Sequence, residues 1–302
     1  MQNRFSFDQL AGSPLRIPLE QLVSEHAPRR WTVNNVRDLA DAASHPAALL
    51  SDGSYTVFAK FNDASNGFEQ FEIELAGLRL LSERSGVLVP NPIGIVPVAG
   101  GCILLLEAVQ PVERGPRQWC EIGHALATIH QSKWDWFGRE THNYFGSLYQ
   151  DNSPMKDWPT FYAERRLLPV LKLATDSGNL PWGLGRQLEQ LIARLPGLCG
   201  PAVIPTLLHG DAQQNNFIST ASGAVVIDPA VYFGHPEMDL AVIDFFQPVP
   251  QAVFDGYQEK LPIDPGFWEM RDLWCLWGYL ACVAVDGPGY LGKLTEAVQK
   301  YM

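Results

Sequence analysis

Apolar positions along the chain fall into two regimes. "SYTVFAKF" (54–61) is β-branched and aromatic and follows the turn signal "SDG", so it predicts a strand. "GFEQFEIELAGLRLLSERSG" (67–86) carries Phe71, Leu75 and Leu78 at helical spacing and predicts a helix that stops near Gly86. Residues 87–109 alternate short apolar runs with Pro and Gly and predict short strands, the last of them "CILLL". Beyond "QPVERGP" the spacing becomes helical, over 117–132, 158–174 and 183–195. Only "NFIS" (216–219) and "AVVID" (224–228) read as strands there, joined by the turn "TASG". The pattern predicts an α+β protein of two lobes with a cleft between them: a small β-rich N-lobe over 1–106 and a larger, mostly helical C-lobe over 107–302, with the boundary in 107–116.

Composition narrows the partners. The chain has 302 residues, long enough for two lobes, and is 46% hydrophobic and 18% charged, as ordinary globular proteins are. A net charge of −11 argues against nucleic acid or an anionic membrane surface as the main partner. Five scattered cysteines (102, 120, 199, 275, 282) without CxxC spacing read as buried free thiols in a reducing compartment. The first residues lack the basic-then-apolar order of a signal peptide, and no apolar run is long enough to span a bilayer. A cytoplasmic location is expected; the oligomeric state is left open.

The candidate chemistry lies in "LLHGDAQQNNFISTASGAVVIDPA". Folding the two strands into a hairpin brings Asn216, entering the first, beside Asp228, leaving the second. Asp211 lies five residues upstream of Asn216. Two carboxylates and an amide oxygen at one place suit Mg²⁺, and a carboxylate left off the metal can take a proton from an attacking hydroxyl. Asp-x4-Asn followed by a second Asp is the spacing of a kinase catalytic loop; the plainer alternative is a polar turn bonded to its own backbone. Such a site also needs a strand Lys to hold nucleotide phosphates and a helix Glu to hold the Lys. Lys60 ends "VFAK". Glu74 sits among the apolar positions of its helix, where a carboxylate requires a partner, and Lys60 is the economical one.

With "VFAKF", "FEIELAGLRLL", "LLLEAV", "IGHALATIH", "FGRETHNYFGSLYQDN", "DWPTFYAERRL" and "YFGHPEMDLA", the sequence resembles the fructosamine kinase family, within the aminoglycoside-phosphotransferase group of protein-kinase-like folds. The run Asn143, Gly146, Gln150 and Asn152 is the more specific part. The resemblance implies a bilobal protein-kinase-like fold and an ATP- and Mg²⁺-dependent kinase that phosphorylates a hydroxyl of a small sugar-like acceptor, first of all a ketosamine. It implies Asp211 as the base or orienting carboxylate and Asn216 and Asp228 as magnesium ligands. Lys60, partnered by Glu74, would hold the phosphates. The carbonyl of Glu107 and the amide of Val109 would meet adenine, and His209 and Asp239 would brace the catalytic loop. For Asp239 a helix-start cap is the equal alternative.

Two departures matter. The family places Leu-Trp after the catalytic Asp, where this chain has Ala212 and Gln213, so Gln213 is a candidate acceptor contact and the acceptor is open to change. The phosphate-covering stretch 35–50 has no glycine; Ala42, Ala43 and Ser44 are small enough to let backbone N–H groups approach phosphate. An antibiotic or amino-sugar kinase and a non-catalytic nucleotide sensor are the competing functions. A hydrolase built on His209 and Asp211 lacks further His ligands. The tryptophans, His124 and His130 read as packing residues, and Arg165 and Arg166 as surface charge or cleft cations.

Overall fold

The computed structural model describes residues 5–7, 15–27, 29–39 and 45–302. Helix α1 (Arg16–His26) is followed by β1 (Asn35–Asp38), β2 (Ala47–Ser51), β3 (Thr56–Asn62), α2 (Gly67–Ser85), β4 (Pro92–Val98) and β5 (Gly101–Glu107). The strands form one antiparallel sheet in the order β1-β2-β3-β5-β4. Side chains alternate across it with period two. Val57, Ala59, Phe61, Ile103 and Leu105 pack with Leu19 and Val23 of α1, whereas Cys102, Leu104 and Leu106 pack with Phe71, Leu75 and Leu78 of α2. Lys60 pairs in register with Leu104 and so shares the α2 face, the reason it can reach that helix. α2 ends where Gly86 takes a left-handed conformation, φ 74°.

The remainder begins with α3 (Pro116–His130) and a hairpin of β6 (Asn143–Phe145) and β7 (Leu148–Gln150). α4 (Trp158–Phe161) runs through a π-helical segment, Tyr162–Leu167, into α5 (Leu168–Asp176), and α6 (Trp182–Leu198) follows. Next come β8 (Thr206–Leu208), a 3₁₀ turn over Gln214–Asn216, the hairpin of β9 (Phe217–Thr220) and β10 (Gly223–Val226), and β11 (Tyr232–Gly234), which pairs with β8. Helices α7 (Glu237–Val242), α8 (Ala252–Gln258), α9 (Phe267–Asp286) and α10 (Leu291–Tyr301) complete the chain. In α9 every residue from Leu273 to Val283 is buried, the mark of a helix enclosed on all sides. This larger core also takes in Leu81 of α2 and Val87, so the far end of α2 packs against the helical part.

The architecture is the α+β arrangement expected, with a small N-terminal sheet. Three readings change. The helical part has two strand pairs besides the 217–226 hairpin; strands of three residues are too short to give a periodic signal. Trp158, Trp274 and Trp277 are core, but Trp134, Trp136 and Trp268 are 44%, 37% and 48% exposed, the first two lying under Arg84 and Lys156. Four free cysteines are buried and Cys120 is half-buried. Among the described residues no helix is long and apolar enough to cross a membrane.

Candidate active site

A cavity of about 740 Å³ lies between the sheet, α2 and the 211–228 segment. Leu49, Phe58, Leu106, Ile218 and Ile227 give it apolar walls; Lys60, Glu74, Asp211, Asn216 and Asp228 line its polar end.

Lys60 Nζ donates to Glu74 Oε2 and to Asp228 Oδ1, both at 2.9 Å. Burial opposes the charge on Lys60, but Asp228 and Glu74 outweigh it and its pKa lies above the usual value. Burial raises the Glu74 carboxyl despite Lys60. Burial would raise Asp228 as well, yet Lys60 holds it below the ordinary carboxylate value. Lys60 therefore serves as counter-ion to both carboxylates. Two of its three N–H donors are engaged, leaving one for another anion. Asp228 has φ 51°, a left-handed conformation that Asp tolerates better than most residues and that recurs at functional sites.

Asp211 is positioned by backbone bonds that the sequence hides. Asp239, the third residue of α7, accepts the N–H groups of His209 (2.7 Å) and Gly210 (3.0 Å). It braces the loop and does not merely start a helix. Gly210 has φ 80°, and a Cβ there would lie 2.0 Å from the Ala230 carbonyl oxygen, so only glycine fits. His209 Nδ1 accepts the Asp211 N–H (3.2 Å) while Nε2–H donates to the Ile227 carbonyl (2.9 Å), which fixes a neutral tautomer. Burial keeps that imidazole's pKa low. Asn216 Nδ2 donates to the Asp211 carbonyl (2.8 Å) and to Asp211 Oδ2 (2.9 Å), and Gln213 Nε2 lies 3.4 Å from the same carboxylate oxygen. Asp211 Oδ1 is buried with no partner. Burial pushes the Asp211 carboxyl up to about 7, against the hydrogen bonds from Gln213 and Asn216.

The donor set fits a hard divalent cation. Asn216 commits its nitrogen to Asp211, which leaves its amide oxygen, and Asp228 has a carboxylate oxygen beyond the one on Lys60. Glu107, at the end of β5, and Val109 border the apolar end of the cavity. The Glu107 carboxylate is held by Asn91 (2.7 Å) and Tyr55 (2.8 Å), and His26 lies 3.3 Å from it; these hydrogen bonds, Asn91 first, lower its pKa. Ser44, with Ala42 and Ala43, lies outside the described residues.

Several supporting residues escaped the sequence reading. His130 lies 3.2 Å from Asp239 and 2.9 Å from the Tyr257 hydroxyl, so this packing histidine braces the brace. Arg114 donates to the carbonyls of Gln214 and Phe217 on either side of Asn216. Arg166 is wholly buried rather than a surface charge. It lies against the rings of Phe161 and Tyr232, and donates to the Asp151 carbonyl (3.1 Å) and to Asn152 Oδ1 (2.7 Å). With Asn143 donating to the Val231 carbonyl (2.9 Å), these bonds hold the β6–β7 hairpin, whose Tyr144 and Phe145 face the cavity. The π-helical segment that carries Arg166 is of the kind often found beside functional sites.

A family profile described as fructosamine kinase matches residues 18–302. A "probable ketoamine kinase" of Vibrio parahaemolyticus is 30% identical over 255 residues, covering 83% of this chain and 87% of that one. The chloroplastic protein-ribulosamine 3-kinase of Arabidopsis thaliana is 32% identical over 254 residues, covering 82% and 76%. Among solved structures, a candidate fructosamine-3-kinase of Thermobifida fusca superposes with a TM-score of 0.81 at 32% identity, covering 94% of this chain and 98% of the other. An aminoglycoside phosphotransferase, at 13% identity and a TM-score of 0.60, shares the fold. The chain belongs to the fructosamine kinase family, and is a kinase whose phosphoryl acceptor is an alcohol group.

Proposed function

We propose that this protein transfers the γ-phosphate of Mg²⁺-bound ATP to a hydroxyl of a ketosamine, a sugar joined to an amine. Residues 1–106 would form the nucleotide side, and 107–302 the hinge and acceptor side. The observation that carries the reading is Asp211: a buried carboxyl with an unpartnered oxygen, set beside the Lys60–Asp228 pair in one cavity. Asp211 Oδ1 would accept the hydrogen bond of the acceptor hydroxyl, orient its oxygen for in-line attack and take its proton. A carboxyl with a pKa near 7 matches that task better than an ordinary aspartate does. Asn216 and Asp228 would hold Mg²⁺, which would supply charge neutralisation for the nucleotide phosphates. Lys60, kept in place by Glu74, would offer its remaining N–H to phosphate. The backbone of Glu107 and Val109 would meet adenine against the apolar walls. His209 and Asp239 act only through the loop they position.

Gln213 favours a second reading of the acceptor. An amide stands within reach of Asp211 where the family carries an aromatic ring, which suits a more polar partner such as an amino-sugar. ADP release with Mg·ATP across a panel of fructosamines, ribulosamines, aminoglycosides and plain sugars tests both readings. Turnover with ketosamines ahead of the others, reduced about 10²–10⁴-fold in Asp211→Asn, is the expected result. Turnover that is unchanged in Asp211→Asn would remove the assignment.

A further inference from the structure

Away from the cavity, α3 and α8 cross with their backbones in contact. A Cβ on Gly123 would lie 2.0 Å from the Val253 carbonyl oxygen, and one on Gly256 would lie 2.2 Å from that of Cys120. No side chain separates the helices, so groups on their flanks are held by rigid backbone rather than by a loop.

On one flank stand Cys120 and His124, four residues apart on α3 and therefore on one face, with Glu259, the C-terminal cap of α8, opposite. Cys120 Sγ lies 3.6 Å from His124 Nε2 and 3.8 Å from Glu259 Oε1; His124 Nε2 lies 2.6 Å from Glu259 Oε2. The donor atoms all fall within 4.8 Å of one another, the one such group of three among the described residues. A tetrahedral Zn²⁺ with Zn–S about 2.3 Å and Zn–N about 2.0–2.1 Å has an S···N edge of about 3.6 Å. The Cys120–His124 spacing is already that edge, while the His124–Glu259 contact, at 2.6 Å, opens to an N···O edge of about 3.3 Å to receive the ion. The neighbouring carboxylates of Glu259, Glu121 and Asp255 make the spot anionic. A divalent cation would relieve that field. All four remaining cysteines are buried, so Cys120 is the accessible thiol.

We propose that Cys120, His124 and Glu259 form a second metal site, separate from the magnesium ligands, that takes zinc or a cation of similar affinity for thiolate. Thiolate, imidazole and carboxylate on one ion is a zinc-type ligand set and a poor one for magnesium. Three protein ligands leave the fourth position to water. Binding releases the thiol proton to solvent and replaces the His124–Glu259 contact by two bonds to the ion. Bridging α3 to α8, the ion would clamp the two helices that also carry His130 and Tyr257, the residues bonded behind Asp239.

Cobalt(II) is the probe. The reduced full-length protein, in a non-chelating buffer, is titrated with Co²⁺ while near-ultraviolet and visible absorption is recorded, and Zn²⁺ is then added to displace it. The proposal expects a saturable thiolate-to-cobalt charge-transfer band at one equivalent, removed by Zn²⁺ and lost in Cys120→Ser. His124→Gln and Glu259→Gln should each weaken cobalt binding at least about tenfold. Asp211→Asn with Asp228→Asn should leave the band intact, and Zn²⁺ should raise the Tm of the wild type but not of His124→Gln. Far-ultraviolet circular dichroism verifies that each variant is folded. Absence of the band in excess Co²⁺, or its persistence in folded Cys120→Ser, would overturn the proposal.

Discussion

Asp211→Asn is expected to lose activity and gain stability, and the gain follows from the structure. In the folded protein the Asp211 carboxyl titrates near 7, against an ordinary value of 3.8. A carboxyl whose pKa is raised by folding binds more protons in the native than in the unfolded state between those values. Stability of the wild type therefore falls as pH rises from about 4 to about 7. Three pH units correspond to a penalty of about 4 kcal/mol as a ceiling, and water in the open cavity lowers it. Asparagine carries no charge at any pH. Its carbonyl can accept from Asn216 and Gln213 as Asp211 Oδ2 does, with the amide nitrogen turned toward the cavity. Urea midpoints of both proteins, without nucleotide or metal, should coincide at pH 4 and separate by pH 8, the variant being more stable by about 1–3 kcal/mol. Equal midpoints at both pH values would mean that Asp211 is not desolvated, and the argument for its raised pKa would fail.

Three further outcomes follow from the same geometry. Lys60→Met leaves Glu74 beside Asp228, whose side chain is 38% exposed, without their shared cation, at a cost of about 1–3 kcal/mol once solvent screening of Asp228 is allowed for; the loss in urea should grow from pH 5 to pH 8, and a pH-independent loss would contradict the pairing. Gly256→Ala drives a Cβ into the Cys120 carbonyl and should cost about 1–3 kcal/mol or more, whereas Gly197→Ala, a helical position with open space around it, should be neutral or stabilising by up to about 1 kcal/mol in thermal unfolding. Gln213→Trp restores the aromatic ring of the family and should raise kcat/KM for ketosamines relative to aminoglycosides; an unchanged ratio would take Gln213 out of acceptor selection.

Local signals carried the elements that frame the site. Phe71, Leu75 and Leu78 at helical spacing, with Gly86 as the stop, define α2 within two residues, and the isolated charge of Glu74 on that face announced a partner. The hairpin was legible from β-branched runs around "TASG", and its register sets Asn216 opposite Ile227, the residue before Asp228. What was hidden depends on contacts between distant residues. Asp239 reads equally as a helix cap until its carboxylate is seen on the His209 and Gly210 amides. His130 lies six residues from His124, and nothing local shows that one turns inward to Asp239 and the other outward to Glu259. Arg166 reads as surface charge or a cleft cation until the Tyr232 ring and the Asp151 and Asn152 oxygens that hold it, from two other segments, are seen. The Cys120–His124 spacing was visible, but its third partner lies 135 residues away from His124.

The central claim is that the γ-phosphate leaves for a sugar hydroxyl under the control of Asp211. Phosphorus NMR on a stoichiometric mixture of enzyme, Mg·ATP and a ketosamine follows that phosphate directly. The account predicts a new phosphate-ester resonance that grows as the γ-phosphate signal disappears, little free phosphate, and both changes slowed about 10²–10⁴-fold in Asp211→Asn. Release of inorganic phosphate alone, or an ester formed equally well by Asp211→Asn, would contradict it.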